Sequence, residues 1–226
     1  MPTWFVTGID TGAGKTIATG LLARHLARRG ESTVTMKLAS TGMDGFPEDL
    51  AFHRTIMGTG LLPEDRDGIT CPYNFPMPAS PHLAARVEGV RIALGKIADS
   101  ARTLAERYEN VLVEGVGGWL VPLNERETTA DFVAARGWPV ILVSSPRLGS
   151  INHTLLTLQA MASAGLSVSG IVYNMAEESH PVITADTREV IGDALEKFGW
   201  PRVVVDMPFI GRLSEPPDLD FSGLLK

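Results

Sequence analysis

A chain of 226 residues, 44% hydrophobic and 20% charged, has ordinary globular usage and is long enough for one large domain but short for two. Its net charge of −6 comes from 20 Lys plus Arg against 26 Asp plus Glu, with no basic block. That balance argues against nucleic-acid and anionic-membrane partners, so an anionic ligand must be caught by local features. The single cysteine, Cys71, excludes an intramolecular disulfide and suits a reducing cytoplasm. With no base partner nearby in sequence, it reads as a structural thiol. The chain starts directly on an apolar strand, without a basic-plus-apolar leader and without a bilayer-length run, so a cytoplasmic protein is expected.

The predicted elements alternate. "TWFVTG" is a short apolar strand, followed by a glycine-rich turn and a helix from Lys15. Ala18, Leu21, Leu22 and Leu26 share one face of that helix, and Gly30 ends it. "STVTMK" is a second strand. "PEDLAFHRTIMG" is a short helix that Pro47 opens and Gly58 closes. Residues 59–81 carry five prolines and little periodicity, and a long irregular segment in a compact domain is often functional. Ile97, Ala101, Leu104 and Tyr108 mark the next helix. "NVLVEG" and "WPVILVSS" are continuous apolar runs, as in strands buried on both faces of a parallel sheet. A helix over 151–164, the strand "SVSGIVYN", a helix over about 181–198 and the strand "RVVVDMP" follow. The tail "SEPPDLDFSGLLK" reads as a loosely packed terminus. The alternation predicts an α/β fold: a doubly wound, mostly parallel sheet in one domain over 1–226.

Such sheets bind ligands at the carboxyl ends of their strands, and the chemically suggestive residues fall there. "GIDTGAGKT" between the first strand and its helix has the outline of a phosphate-binding loop, with one residue more between Gly8 and Gly14 than the usual motif. Its glycines let backbone N–H groups surround an anion, and the helix N-terminus adds its dipole. Lys15 would reach the β/γ-phosphates and Thr16 would ligate Mg²⁺. Glu114, after four apolar strand residues and before glycines, stands where an acidic Mg²⁺ contact belongs. Asp49 is either a further oxygen ligand or a first-turn helix carboxylate. Lys37 is either a second cation at the rim or a strand-end lysine reaching water. Asn174 suits a purine. The following "MAE" puts Met175 where guanine readers carry lysine, which favours adenine. His153 reads as a packing or capping histidine, and the four tryptophans as packing residues.

On these motifs the chain resembles the dethiobiotin synthetase family along nearly its whole length. "FVTGIDTGAGKT" is similar to the family's "FVTGTDTxVGKT", including the longer spacing, and "KLASTG" to "KPVxSG". "PYNFPMPASPHLAA" is similar to "PYxFxxPxSPHxAA", "VLVEGVGGWLVPL" to "VEGAGGxxVPL", and "RLGSINHTLLTLQA" to "xLGxINHxLLTxxA". The resemblance implies a P-loop NTPase-like fold and a homodimer. It implies a cyclo-ligase that joins CO2 to 7,8-diaminopelargonate with MgATP, through a carbamate and a carbamic–phosphoric anhydride. It implies catalytic roles for Lys15, Lys37 and Thr11, and Mg²⁺ held by Thr16, Asp49 and Glu114. ATP contacts are implied at Gly12, Ala13, Gly14, Lys15, Thr16, Ile17, Glu114, Gly115, Val116 and Gly117. Asn174 and Pro208, Phe209 and Ile210 would form the adenine pocket. Substrate contacts are implied at Thr41, Ser80, Pro81 and across the dimer at Gly149, Ser150, Ile151 and Asn152. The chain departs from the pattern at Gly12, often a larger side chain, at Leu38 for Pro, and at Thr41 for Ser.

The runner-up is a partitioning-type ATPase switch of the same fold class. Those proteins carry a signature lysine early in the loop, where this chain has Asp10. A glutamine-dependent amide synthetase would add a domain with a nucleophilic cysteine, for which 226 residues leave no room. A non-catalytic nucleotide-binding module would not need Lys37 and the "SPH" segment together.

Overall fold

The computed structural model describes residues 2–176 and 180–226. Strand β1 (Thr3–Gly8) leads into helix α1 (Lys15–Arg28), β2 (Thr33–Lys37) and the short β3 (Ser40–Thr41). Helices α2 (Glu48–Met57) and α3 (Pro63–Arg66), strand β4 (Asn74–Phe75), and helices α4 (Pro81–Val87) and α5 (Leu94–Ala105) follow. Then come β5 (Asn110–Gly118), α6 (Thr129–Ala134), β6 (Val140–Ser144), α7 (Ser150–Ser163), β7 (Val168–Asn174), α8 (Pro181–Lys197) and β8 (Val204–Met207).

The main sheet has the order β2-β5-β1-β6-β7-β8, with every pair parallel. The unbroken apolar runs of β1, β5 and β6 are buried throughout their central residues, which is why they do not alternate. From β1 the chain crosses toward β2, whereas from the adjacent β6 it crosses toward β7. The crevice at the carboxyl ends of β1 and β6 is therefore the switch point where open α/β sheets take ligands. In the β2–β5 pair Lys37 stands directly beside Glu114. Among the described residues no helix is long and apolar enough to cross a membrane.

The structure departs from the sequence expectation in several places. Residues 59–81 are not wholly irregular, because Pro63 opens the one-turn α3 and Asn74–Phe75 pairs with Ser40–Thr41. The α5 helix stops at Ala105, and Tyr108 lies beyond it, its hydroxyl donating to Glu64 at 3.1 Å. Helices α4 and α6 are additions, and α6 starts on a Thr128–Asp131 capping box. The tail is not loose: Phe221 and Leu224 are 0% exposed. Phe221 meets the His25 ring edge-on, and Arg28 pairs with Asp218, so apolar burial docks the terminus against α1. Of the tryptophans, Trp4 and Trp119 are buried and Trp138 and Trp200 pack partly against the core. His153 neither packs nor caps, but is exposed on α7. Burial pushes the Cys71 thiol up to about 12, which leaves it un-ionised and inert, as a structural thiol should be.

Candidate functional site

The first loop turns between β1 and α1 with Gly14 at φ 100°, ψ 19°, a left-handed conformation open to glycine. A Cβ there would also clash with Asn174 Nδ2. Asn174 thus reaches the loop from the end of β7: its amide donates to Ala13 O at 3.0 Å, and its Oδ1 accepts from Ala176 N at 3.1 Å. Gly14→Ala should cost about 1–2 kcal/mol in backbone conformation alone and push Asn174 aside. Nucleotide affinity is expected to fall about tenfold by titration calorimetry, and an unchanged affinity would refute the assigned tight fit.

A cavity of about 710 Å³ opens over this loop. It gathers Thr11, Gly12, Gly14, Lys15, Thr16 and Ile17 with Lys37, Thr41, Asp49, Ser80, Pro81, Glu114, Val116 and Gly117. Ala39, Phe52, Pro78, Ala79 and Val121 complete its wall. The irregular segment therefore contributes directly to the site through residues 78–81. Ala13 and Gly115 are buried just behind it.

Lys15 is 7% exposed, and its Nζ donates to Asp10 O at 2.9 Å. Burial, aided by the positive charge of Lys37, brings its pKa down to about 8. Lys37 does not reach water: it is 5% exposed, and its Nζ lies 2.7 Å from both Asp49 Oδ2 and Glu114 Oε1. It also donates to Gly115 O at 3.1 Å. Burial alone would lower its pKa, but the two carboxylates more than reverse this and hold it above the ordinary lysine value. Burial likewise opposes ionisation of Glu114, yet the Lys37 charge and a hydrogen bond from His53 push it down to about 2.

Thr16 Oγ1 lies 2.6 Å from Asp49 Oδ1 and 3.1 Å from Glu114 Oε1. A hydroxyl has one proton, so it cannot satisfy both carboxylates. Lys37 reaches both carboxylates as well, and the oxygen lone pairs that remain in this set fit a small divalent cation such as Mg²⁺. Among the described residues no group of three or more His, Cys, Asp or Glu side chains is placed to hold a metal ion, and the oxygen set here consists of two carboxylates and the Thr16 hydroxyl. Asp49 stands in the first turn of α2 and also lines the cavity.

Asp10 is occupied. Its Oδ1 accepts from Thr11 N at 2.7 Å and its Oδ2 from Arg147 Nη2 at 2.7 Å, tying the loop after β1 to the turn before α7. Two groups of expected site residues lie away from the cavity lining. Asn174 and the adjacent 208–210 stretch stand at the ends of β7 and β8, where Asn174 pairs with Met207 and Phe209 is exposed. Glu177, the last residue of the "NMAE" run, lies outside the described residues. Gly149, Ser150, Ile151 and Asn152 form the N-terminus of α7, with Ser150 Oγ buried and without a hydrogen-bond partner among the described residues. His53, buried against Glu114, was not found by sequence reasoning: it sits mid-helix in "LAFHRT" with no motif to mark it.

Loop, cavity and strand order together define a P-loop nucleotide-binding protein. Solved structures of the same fold include the MinC:MinD cell division complex of Aquifex aeolicus. That match has a TM-score of 0.57 at 14% identity, covering 93% of this chain and 82% of the other. A ParA family ATPase from Chlorobium tepidum gives 0.55 at 14% identity, covering 93% and 85%. Residues 2–220 match the AAA domain family. The chain is 51% identical to an ATP-dependent dethiobiotin synthetase of Chlorobaculum tepidum, over 95% of this chain and 90% of the relative. It is 49% identical to a second such synthetase, from Pasteurella multocida, over 86% and 92%. The chain belongs to the dethiobiotin synthetase family.

Proposed function

We propose that this single-domain protein is an ATP-dependent cyclo-ligase that converts 7,8-diaminopelargonate and CO2 to dethiobiotin in the cytoplasm. One observation carries the reading: two buried lysines and a Thr16–Asp49–Glu114 oxygen set line one cavity beside a phosphate loop. An amine of the substrate captures CO2 as a carbamate. The carbamate oxygen attacks the γ-phosphorus and ADP leaves; the neighbouring amine then attacks the carbonyl of the mixed anhydride and gives up a proton, and phosphate leaves as the cyclic urea closes.

Each step accumulates negative charge in one place. Lys15 leaves the Asp10 carbonyl to meet the phosphates, and a phosphate partner would hold its amine fully charged. Lys37 supplies a fixed positive charge on the carbamate side. Preorganised charges of this kind stabilise the transition state without rearranging when the reaction occurs. The Thr11 and Thr41 hydroxyls line the same space and suit phosphate and substrate oxygens. Mg²⁺ held by Thr16, Asp49 and Glu114 would draw charge off the transferring phosphoryl group. Asn174 with Pro208–Ile210 would receive adenine at the back of the loop.

The α7 N-terminus, with a Ser150 hydroxyl unpartnered among the described residues, suits the carboxylate tail of the substrate. Because Gly149–Asn152 do not line the cavity of their own chain, we assign them to the cavity of a second copy in a homodimer. The exposed Leu120, Leu148 and Leu156 support an apolar face there. The switch-ATPase alternative is disfavoured by Asp10, whose carboxylate is already held by Arg147.

The test mixes the protein with diaminopelargonate, bicarbonate and MgATP and follows phosphate release and product mass. Diamine-dependent phosphate release with a cyclic urea product is expected. ATP turnover indifferent to the diamine, with no cyclic urea, would defeat the assignment.

A further inference from the structure

Behind the cavity wall a chain of buried polar side chains runs from the 63–70 segment to Glu114. Asp65 accepts from Arg54 twice, from Nε at 2.8 Å and from Nη2 at 2.7 Å. Arg54 Nη1 donates to Thr35 Oγ1 at 2.7 Å. Thr35 Oγ1 lies 3.0 Å from His53 Nδ1, and His53 Nε2 lies 2.8 Å from Glu114 Oε2. Thr35 and His53 are 0% exposed, and neither they nor Arg54 line the cavity.

The hydrogen positions follow from the network. Arg54 can only donate, so Thr35 accepts from it and keeps its own proton to give. An ionised Glu114 can only accept, so His53 Nε2 must carry a hydrogen. In the neutral ring Nδ1 is then an acceptor, and the Thr35 hydroxyl is placed to fill it. The Nε2 hydrogen is thereby directed at Glu114 while Thr35 engages the opposite ring nitrogen.

The consequence falls on Glu114. A carboxylate torsion is intrinsically broad and two-fold. Here His53 occupies Oε2 from the interior, which leaves Oε1 turned to Lys37 at 2.7 Å and Thr16 at 3.1 Å. We infer that His53 is a positioning residue, its Nε2–H aimed by Thr35 and Arg54, which locks Glu114 so that one oxygen faces the cavity and the divalent cation held there with Asp49 and Thr16. The inference rests on the reading of those three residues as cation ligands.

The test measures Mn²⁺ binding by electron paramagnetic resonance, with a non-hydrolysable ATP analogue present, for the wild-type protein and for His53→Gln, His53→Asn and His53→Leu. A glutamine amide reaches the place of Nε2, whereas an asparagine amide reaches only that of Nδ1. Gln is expected to keep Mn²⁺ affinity close to wild type, while Asn and Leu weaken it about 10- to 100-fold, the usual effect of losing a group that orients a ligand. Thermal melts report packing separately. If Leu does not fold, the Gln and Asn pair decides, both being neutral amides. Equal affinities for Gln and Asn, or wild-type affinity in Leu, would overturn the inference. Absence of Mn²⁺ binding in the wild-type protein would instead sink the ligand assignment beneath it.

Discussion

Replacing Lys37 with alanine is expected to abolish ligase turnover, by about 100- to 1000-fold or more, while ATP affinity falls far less. Lys37 is the only cation within hydrogen-bond reach of both Asp49 and Glu114 among the described residues, and it stands on the strand beside the loop rather than within it. In the proposed reaction its charge would serve the carbamate side while Lys15 would serve the phosphates. Lys37→Gln refines the test, because the amide retains a hydrogen-bond donor and lacks only the charge. Both variants should fail alike if charge is what matters. Steady-state turnover and ATP calorimetry on the same samples separate the two effects. Turnover at the wild-type rate in either variant would remove the Lys37 charge from the mechanism.

The largest loss of stability is expected from Asp65→Asn. Arg54 is buried, and Asp65 is its only carboxylate partner among the described residues. Removing one partner of a buried pair strands the other charge and costs about 3–5 kcal/mol. In a chain of this size that corresponds to a drop in Tm of about 6–20 °C. The pH dependence has a definite sign. Burial opposes ionisation of Asp65, but hydrogen bonds from Arg54 and Thr70 and the Arg54 charge outweigh it and hold the carboxyl below its ordinary value. With the folded pKa depressed, the contribution is complete above the unfolded value of about 3.9 and is lost as pH falls through the folded value. The gap in denaturation midpoint between wild type and Asp65→Asn should therefore be constant at neutral pH and close in acid. A gap that stayed constant into acid would exclude the ion pair as its source.

Most of the sheet is legible in the sequence because a strand buried on both faces is mostly apolar without alternation. The polar residues that close those apolar runs, Lys37, Glu114 and Asn174, stand toward one edge of the sheet, although β5 itself continues past Glu114 to Gly118. The loop is legible because cradling phosphate demands glycine, lysine and a hydroxyl in a local order. What escapes is set at long range. His53 becomes meaningful only when β2 and β5 lie side by side and bring Thr35 and Glu114 within reach of α2. The tail shows no period, and its burial depends on a groove that α1 and the sheet create. The short α6 was accessible in principle, since Thr128 and Asp131 form a capping box, but so short a helix has almost no periodic signal.

The side-by-side placement of Lys37 and Glu114 in adjacent parallel strands also bears on how the sheet assembles. Neighbouring positions on a strand point to opposite faces, so a slip of one residue would drive these opposite charges to different sides of the sheet. The apolar residues around them, Met36 and Val113, tolerate either side of a doubly covered sheet far better. The pair thus favours one alignment at the edge of the sheet: the register that sets the two charges beside each other is also the one that brings both side chains to the cavity.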